Sequence, residues 1–437
     1  MRRENIYRRL ISAAVCLLLV LLAGYCAHAL TRPTELRVAV FAGSHWEVPE
    51  NAPYHVLDAA IERFRASHPD VEVTYASGIR KEDYREFVAG ELVKGRAPDV
   101  FLVLREDFDR YAEMGVLEPL DAYIKEDAEL DAALYYPALL AAGQVGGRQY
   151  ALPLECSPQM MFVNTSLLAE EGIPLPKSDW TWQELLSVTS RVTRDTDGDG
   201  RIDRFGIYDY GWMDAARTNG VNLSEREAWL HAFDEVPMQE AILFAANLTR
   251  EGEMQRARSV DFDAGRVAFR PFTFAAYRAY KPYPWSVKKY TTFSWEILPM
   301  PRGGRGENRS SVDVLLVGMS AESAHKELAY AFLKELAYSR EGQREILVYA
   351  MGLPTRRDII RSETMNEVLY TESGERRLSS ESVHEVLERA VHLPHFARAE
   401  EAERLATKTI QPLLSDPQDV SEILIRLGRK VRILLEI

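Results

Sequence analysis

Cysteine is scarce in this chain: three residues in 437, namely Cys16, Cys26 and Cys156. The first two lie in an N-terminal apolar stretch. A chain trimmed there keeps Cys156 alone, and no intramolecular disulfide can form, so stability has to come from core burial. A solitary cysteine reads first as a small buried apolar residue and not as a nucleophile. An excess of basic charge is also missing. The 53 Lys+Arg against 66 Asp+Glu give a net charge of −13, the wrong sign for displacing counterions from a nucleic-acid backbone. Internal repeats at solenoid periods are absent. With 46% hydrophobic and 27% charged residues, the composition is that of an ordinary globular protein. The length suggests roughly two or three domains.

Sequence signatures of catalysis are equally thin. Ser323-Ala324-His325-Lys326 has the S-x-x-K spacing, but no Ser-Asp-Asn or Lys-Thr-Gly accompanies it. His384-Glu385 lacks the second histidine of a zinc helix. His392 and His395 come without further convincing ligands, and Gly303-Gly304-Arg305-Gly306 is a flexible loop without the Gly-Lys-Ser/Thr of a phosphate cradle. A glycosidase needs two carboxylates flanking the sugar bond, which sequence alone cannot pick from 66 acids.

What is present begins with an address. Arg2, Arg3, Arg8 and Arg9 precede a stretch, Leu10 to Leu30, without a single Asp, Glu, Lys or Arg. This is an export signal. Ala27-His28-Ala29 fits cleavage. Ala23-Gly24-Tyr25-Cys26 is one bulky residue away from a lipobox that would lipidate Cys26. About 20 apolar residues also suffice for an uncleaved anchor. Residues 1–29 are therefore read as a signal peptide or membrane anchor, and the rest as exported.

Beyond it, strands alternate with helices. Leu36–Phe41, Val71–Tyr75, Asp99–Leu104 and Val312–Met319 read as strands, and Val56–Phe64, Tyr84–Val93 and Lys326–Ala337 as helices. The rhythm predicts an α/β fold with a mostly parallel sheet covered by helices, and the last hundred residues are almost wholly helical in pattern. Thr181 with Glu184 three residues on has the form of a capping box.

Several fragments, in order, resemble the bacterial extracellular solute-binding proteins of the sugar-binding type (family 1), the maltose-binding-protein relatives that feed ABC importers. They are Ala97-Pro98-Asp99-Val100, Tyr111 to Leu120, and Gly147-Arg148-Gln149-Tyr150-Ala151-Leu152-Pro153 running on to Asn164. After these come Trp180-Thr181-Trp182-Gln183-Glu184-Leu185, the F-x-x-G-x-x-A stretch Phe262 to Ala268, Ser339 to Gln343, and Gly352-Leu353-Pro354-Thr355-Arg356. The resemblance implies a two-lobed periplasmic-binding-protein-like fold, with interlobe hinge strands and a ligand cleft. Lobe 1 would comprise 33–152 plus 312–348, and lobe 2 153–311 plus 349–437, with chain crossings near Leu152, Asn308–Asp313 and Tyr349. It further implies an exported, monomeric clamp that closes on a carbohydrate and hands it to the permease subunits of an ABC importer, with no catalysis and no required cofactor. An exported carbohydrate-active enzyme and the ligand-binding subunit of a membrane sensor stand as the alternatives.

Within that frame the ligand-binding candidates are Trp46, after the first strand; Arg105 and Glu106, at the carboxyl end of the third; Glu155, just past Pro153; Trp212; and Phe272, Thr273 and Phe274. The family often has a Gly-Ser-Trp-like run at the last of these, whereas this chain has no Trp there, so stacking would fall to a Phe. Asp195, Asp197, Asp199 and Asp203 occupy positions 1, 3, 5 and 9 of an EF-hand-like loop and would hold a structural calcium, although position 12 is Gly206 and not the usual Glu.

Overall fold

The computed structural model describes residues 33–46, 48, 54–251, 254, 256–279, 293–373 and 378–436. The export segment, with the cleavage and lipidation sites expected at Ala29 and Cys26, lies outside them.

Ten strands connect in one sheet whose main path runs β2-β1-β3-β10-β6-β8-β7. They are β1 (Thr34–Ala39), β2 (Val71–Tyr75), β3 (Val100–Val103), the hairpin pair β4 (Gln144–Val145) and β5 (Arg148–Gln149), which stands apart, β6 (Ala151–Asn164), β7 (Phe205–Ile207), β8 (Val267–Thr273), β9 (Trp295–Leu298), β10 (Ser311–Met319), β11 (Leu353–Pro354) and β12 (Val391–His392). The helices that matter below are α1 (His55–Ser67), α2 (Lys81–Val93), α3 (Arg105–Glu113), α4 (Trp182–Val192), α5 (Trp212–Thr218), α6 (Val236–Glu251), α7 (Lys326–Ala337), α8 (Arg340–Tyr349), α9 (Ser380–Glu388), α10 (Ala399–Ile410) and α11 (Val420–Glu436).

The mostly parallel sheet expected from the βα rhythm holds only at its flanks, in β2-β1-β3, in β7-β8 and in the short β10-β12 pair. Its centre is antiparallel, because β10 runs against both β3 and β6, and β6 against β8, β9 and β11. The reason is β6. Pro153 and Pro158 punctuate it in the sequence, yet it continues for 14 residues. Its first half pairs with β10 and its second half with β8 and β9, so one uninterrupted strand belongs to both halves of the molecule. Pro153 is tolerated because the ladder is irregular there. The register shifts between Leu315 and Leu316, so Leu154 has no opposite number. The carbonyl of Leu154 instead accepts Gln343 Nε2 at 3.0 Å, and that of Pro153 accepts Thr355 Oγ1 at 3.0 Å.

Two buried apolar clusters form the core, and the larger extends past the crossing strands to Phe205, Val267, Phe272 and Trp295 on β7, β8 and β9. One gathers β1, β2, β3 and β10 with α1, α2, α7, α8 and α9; the other gathers α4, α5, α6, α10 and α11. Ile359, Ile360, Met365, Val383 and Leu387 lie in the first cluster, and only from Phe396 onward does the C-terminal segment join the second. The apolar spacing of α9 and α10 is equally good, so helical periodicity alone could not say which core each face would meet. Thr181 caps α4 as expected: its hydroxyl accepts the Glu184 N–H while Glu184 Oε2 accepts the Thr181 N–H at 2.7 Å.

Candidate functional site

Between the lobes lies a cleft of about 1690 Å³, larger than the usual 300–1,000 Å³ of a small-molecule site. Its floor is made by the two crossing strands. Gln159 is the one residue of β6 that is not fully buried, and Ser311 and Asp313 are the two of β10. All three line the cleft, and Ser311 Oγ donates to Gln159 Oε1 at 2.9 Å. Apolar strands carrying isolated polar residues thus put those residues where the sheet opens to water.

One wall comes from the loop after β1 (Ala42–Trp46), the start of α2 and the β3–α3 junction. The opposite wall comes from Tyr208–Asp214 and from α10. On α10 the residues Glu400, Glu403 and Thr407 recur at helical spacing and, with Gln411 just past its end, line the cleft, whereas Ala399, Ala402, Ala406 and Ile410 are buried.

The sequence candidates divide under this geometry. Trp46, Arg105, Glu106, Trp212 and Thr273 line the cleft. Trp46 is half-buried, stands edge-on to the His45 ring at 4.6 Å and donates Nε1–H to Glu155 Oε1 at 2.6 Å. Arg105 donates to the Pro394 carbonyl at 2.6 Å and lies 3.9 Å from Asp313 and 3.8 Å from Glu400. Glu106 is held by Arg85 at 3.1 Å. Trp212 reaches the cleft only at its edge: its ring is buried and its Nε1 donates to Thr407 Oγ1 at 3.1 Å, bracing α10. Thr273 Oγ1 accepts the Ala276 N–H at 3.2 Å.

Three candidates are placed elsewhere. Glu155 does not reach the cleft. It sits buried beneath it, accepting Trp46 Nε1 and the Gly352 N–H, two partners that hold the carboxylate against the β1 loop and the approach to β11. Burial raises its pKa. Phe272 lies under the Arg270 guanidinium at 4.4 Å and edge-on to Phe162 at 5.3 Å, and Phe274 is fully enclosed with Arg278 over its ring at 5.0 Å. Neither ring is available for stacking on a ligand; the aromatic surface of the cleft is supplied by Trp46, Tyr208, Tyr210 and the edge of Trp212.

Sequence reasoning missed His45, Gln159, Asp209, Asp214, Arg217 and Glu403. His45 is buried, with Nε2 4.0 Å from Asp313 and Nδ1 without a hydrogen-bond partner among the described residues. Desolvation, reinforced by Lys81 and Arg105 against the pull of Asp313, lowers its pKa to about 4, so the ring is neutral at physiological pH. Asp214, Asp209 and Glu403 have raised pKa values, each chiefly through burial, and Arg217 a lowered one for the same reason. Asp209 adopts a left-handed backbone, φ 66°, a conformation that Asp tolerates better than most residues. Its carboxylate lies 3.8 Å from Arg270.

The aspartate loop lies away from the cleft. Asp195, Asp197 and Asp203 bring carboxylate oxygens within 4.8 Å of one another, while Asp199 stands outside that group and accepts the Arg201 N–H at 2.8 Å. Asp195 accepts the N–H groups of Gly198 and Gly200, each at 2.7 Å, which lowers its pKa.

Among known proteins, the model of the family described as bacterial extracellular solute-binding protein matches residues 49–343. A maltotriose-binding protein of Pyrococcus abyssi is 27% identical over 162 residues, covering 37% of this chain. That match spans about a third, 32%, of the relative's own length. Two solved structures share the fold at 18% identity and a TM-score of 0.74. They are the sugar-binding protein MalE from Xanthomonas citri, covering 92% of this chain and 98% of that one, and a cyclic alpha-maltosyl-1,6-maltose binding protein from Arthrobacter globiformis, covering 92% and 99%.

Proposed function

The chain belongs to the bacterial extracellular solute-binding protein family, and from that premise we propose that it captures a carbohydrate between its lobes and delivers it to the permease of an ABC importer. The observation that carries this reading is the interlobe cleft, whose floor and walls combine aromatic faces with hydrogen-bonding side chains. Sugars offer apolar ring faces and hydroxyl edges, so a site for them needs both kinds of surface. The cleft volume leaves room for more than one ring.

The clamp works through differential contact. The open and closed forms differ by a few kcal/mol, and a ligand shifts the balance only by touching both lobes. Trp46 and Arg105 stand on one wall, Tyr208 and the α10 stripe on the other, with Gln159, Ser311 and Asp313 between them. A sugar laid across the floor touches all three groups, and closure then presents a changed outer surface to the permease. On this reading the protein is exported, acts as a monomer without catalysing a reaction, and reaches the membrane through its N-terminal segment, cleaved and lipidated or retained as an anchor. No helix among the described residues is long and apolar enough to cross a membrane. We also assign Asp195, Asp197 and Asp203 a structural Ca²⁺, a hard cation suited to converging carboxylates.

The test is calorimetric titration of residues 30–437 with linear and cyclic oligosaccharides, with product analysis after incubation. One sugar class binding without turnover, and weakened roughly tenfold by Trp46→Ala through loss of a stacking face worth about 1.4 kcal/mol, is the expected result. Turnover of a bound sugar, or no binding by any carbohydrate, overturns the proposal.

A further inference from the structure

Eight carboxylates and five cationic side chains line the cleft. At its rim the signs are matched, with Arg80, Lys81 and Arg85 facing Glu82, Glu86 and Glu106. The excess therefore falls to Asp209, Asp214, Asp313, Glu400 and Glu403, which share the rest of the cleft with Arg105 and Arg217.

These groups are poorly satisfied by one another. Arg105 contacts Asp313 and Glu400 only at 3.9 and 3.8 Å, its best hydrogen bond going to a backbone carbonyl. Arg217 is buried and stands 3.9 Å from Asp214. Asp209 has Arg270 at 3.8 Å, and Glu400 has the outward-facing Arg404 at 3.5 Å. Glu403 makes no hydrogen bond or ion pair among the described residues, although it lies within the field of Arg105, Arg217, Glu400 and Asp313. The wall opposite offers no compensating proton. His45 is nine-tenths buried and lines the same cleft, with Nδ1 lacking a partner. A half-buried carboxylate without a partner is costly unless something from outside completes it.

Building on the carbohydrate reading, we propose that the ligand is a saccharide bearing a basic amine, whose ammonium group is received by Glu403 with Glu400 and Asp313 beside it. Hydroxyls alone would occupy the carboxylate lone pairs but leave the excess negative charge in place. An ammonium supplies up to three donors and the missing charge together, in a site where reduced solvent makes the attraction stronger than at the surface. Acetylating the amine removes the charge and keeps the sugar, which gives a matched control.

The experiment is calorimetric titration of residues 30–437 at pH 7 with a glucosamine oligosaccharide, its fully N-acetylated counterpart and neutral maltotriose. We expect the amine form to bind at least tenfold more tightly than the acetylated one, with the preference falling as salt is raised. Glu403→Gln, which keeps shape and removes charge, abolishes the preference while the melting temperature is held or raised; Glu400→Gln, if folded, reduces it. Equal or tighter binding of the acetylated or neutral sugar overturns the amine assignment and leaves the carbohydrate reading standing. Failure of all three sugars, together with a wider carbohydrate set, overturns both. A preference that survives in both variants places the amine elsewhere and overturns the assignment to these carboxylates.

Discussion

The indole Nε1 of Trp46 donates to Oε1 of Glu155 at 2.6 Å, joining a ring on the cleft wall to the strand that runs through both lobes. The same carboxylate accepts the backbone N–H of Gly352, where the chain passes from α8 to β11. No other residue fits at 352. A Cβ there would lie 2.5 Å from Glu155 Oε1 and 2.7 Å from the Cys156 carbonyl oxygen. One buried acceptor therefore serves the cleft, the central strand and the third crossing.

Removing that acceptor strands two donors. Glu155→Ala should destabilise the protein by about 2–4 kcal/mol, since each unpaired buried donor costs roughly 1–3 kcal/mol. Glu155→Gln keeps an acceptor oxygen and gives up a charge that burial already disfavours, so its loss should be smaller. Urea unfolding of the two variants checks the order; equal losses would mean that the hydrogen bonds contribute nothing.

Gln343 is fully buried and uses its whole amide. Nε2 donates to the carbonyls of Leu154 and Ala337, at 3.0 and 2.7 Å, and Oε1 accepts the N–H and hydroxyl of Thr355. Gln343→Leu preserves apolar volume but orphans these groups. The expected cost is at least about 3 kcal/mol, read as a lower denaturation midpoint. A change below about 1 kcal/mol would refute the account of how the β6 bulge is satisfied.

His45 should make the fold acid-sensitive. Its folded pKa, about 4, lies below the ordinary 6.5. The unfolded chain therefore takes up the proton first, and stability declines as pH falls from about 6.5 toward 4. The full effect is on the order of 3 kcal/mol. The raised pKa values of Glu155, Asp214 and Glu403 act in the opposite sense, so the informative quantity is a difference. Melting curves of wild type and His45→Gln across this window should converge toward acid pH if His45 titrates as described, and run parallel if it does not.

For the aspartate loop, added Ca²⁺ should raise the melting temperature, and Asp203→Asn together with Asp195→Asn should erase the rise without moving sugar affinity. Differential scanning calorimetry with and without chelator decides it, an unchanged melting temperature in wild type removing the ion from the account.

How far the sequence could be read follows from what each residue's neighbours contribute. Strand β2 and helix α7 emerge with the predicted bounds, since period-two and helical spacing are local properties. The capping box at Thr181 is local too. Arg105 could be placed on the cleft lining because the residues after a parallel strand lie at the sheet's carboxyl end, and Trp46 because the family resemblance brings the loop after the first strand there. Glu403 was not, since its helix has several polar positions and only the tertiary packing of Ala402 and Ala406 selects which face looks inward. Phe272 was misjudged because an aromatic in a strand looks the same from sequence whether ligand or Arg270 covers it. Ser311 and Asp313 are polar interruptions in an otherwise apolar strand, a local signal that the sequence does carry.

The continuity of β6 bears on how this molecule comes apart. A hinge made of separate linkers would let each lobe melt at its own temperature. Here the residues that one lobe needs for its sheet and those the other needs lie on the same 14-residue backbone, so losing either core removes an edge from its neighbour. Calorimetry should accordingly record a single heat-absorption peak, and neither half, expressed alone, should attain a native fold.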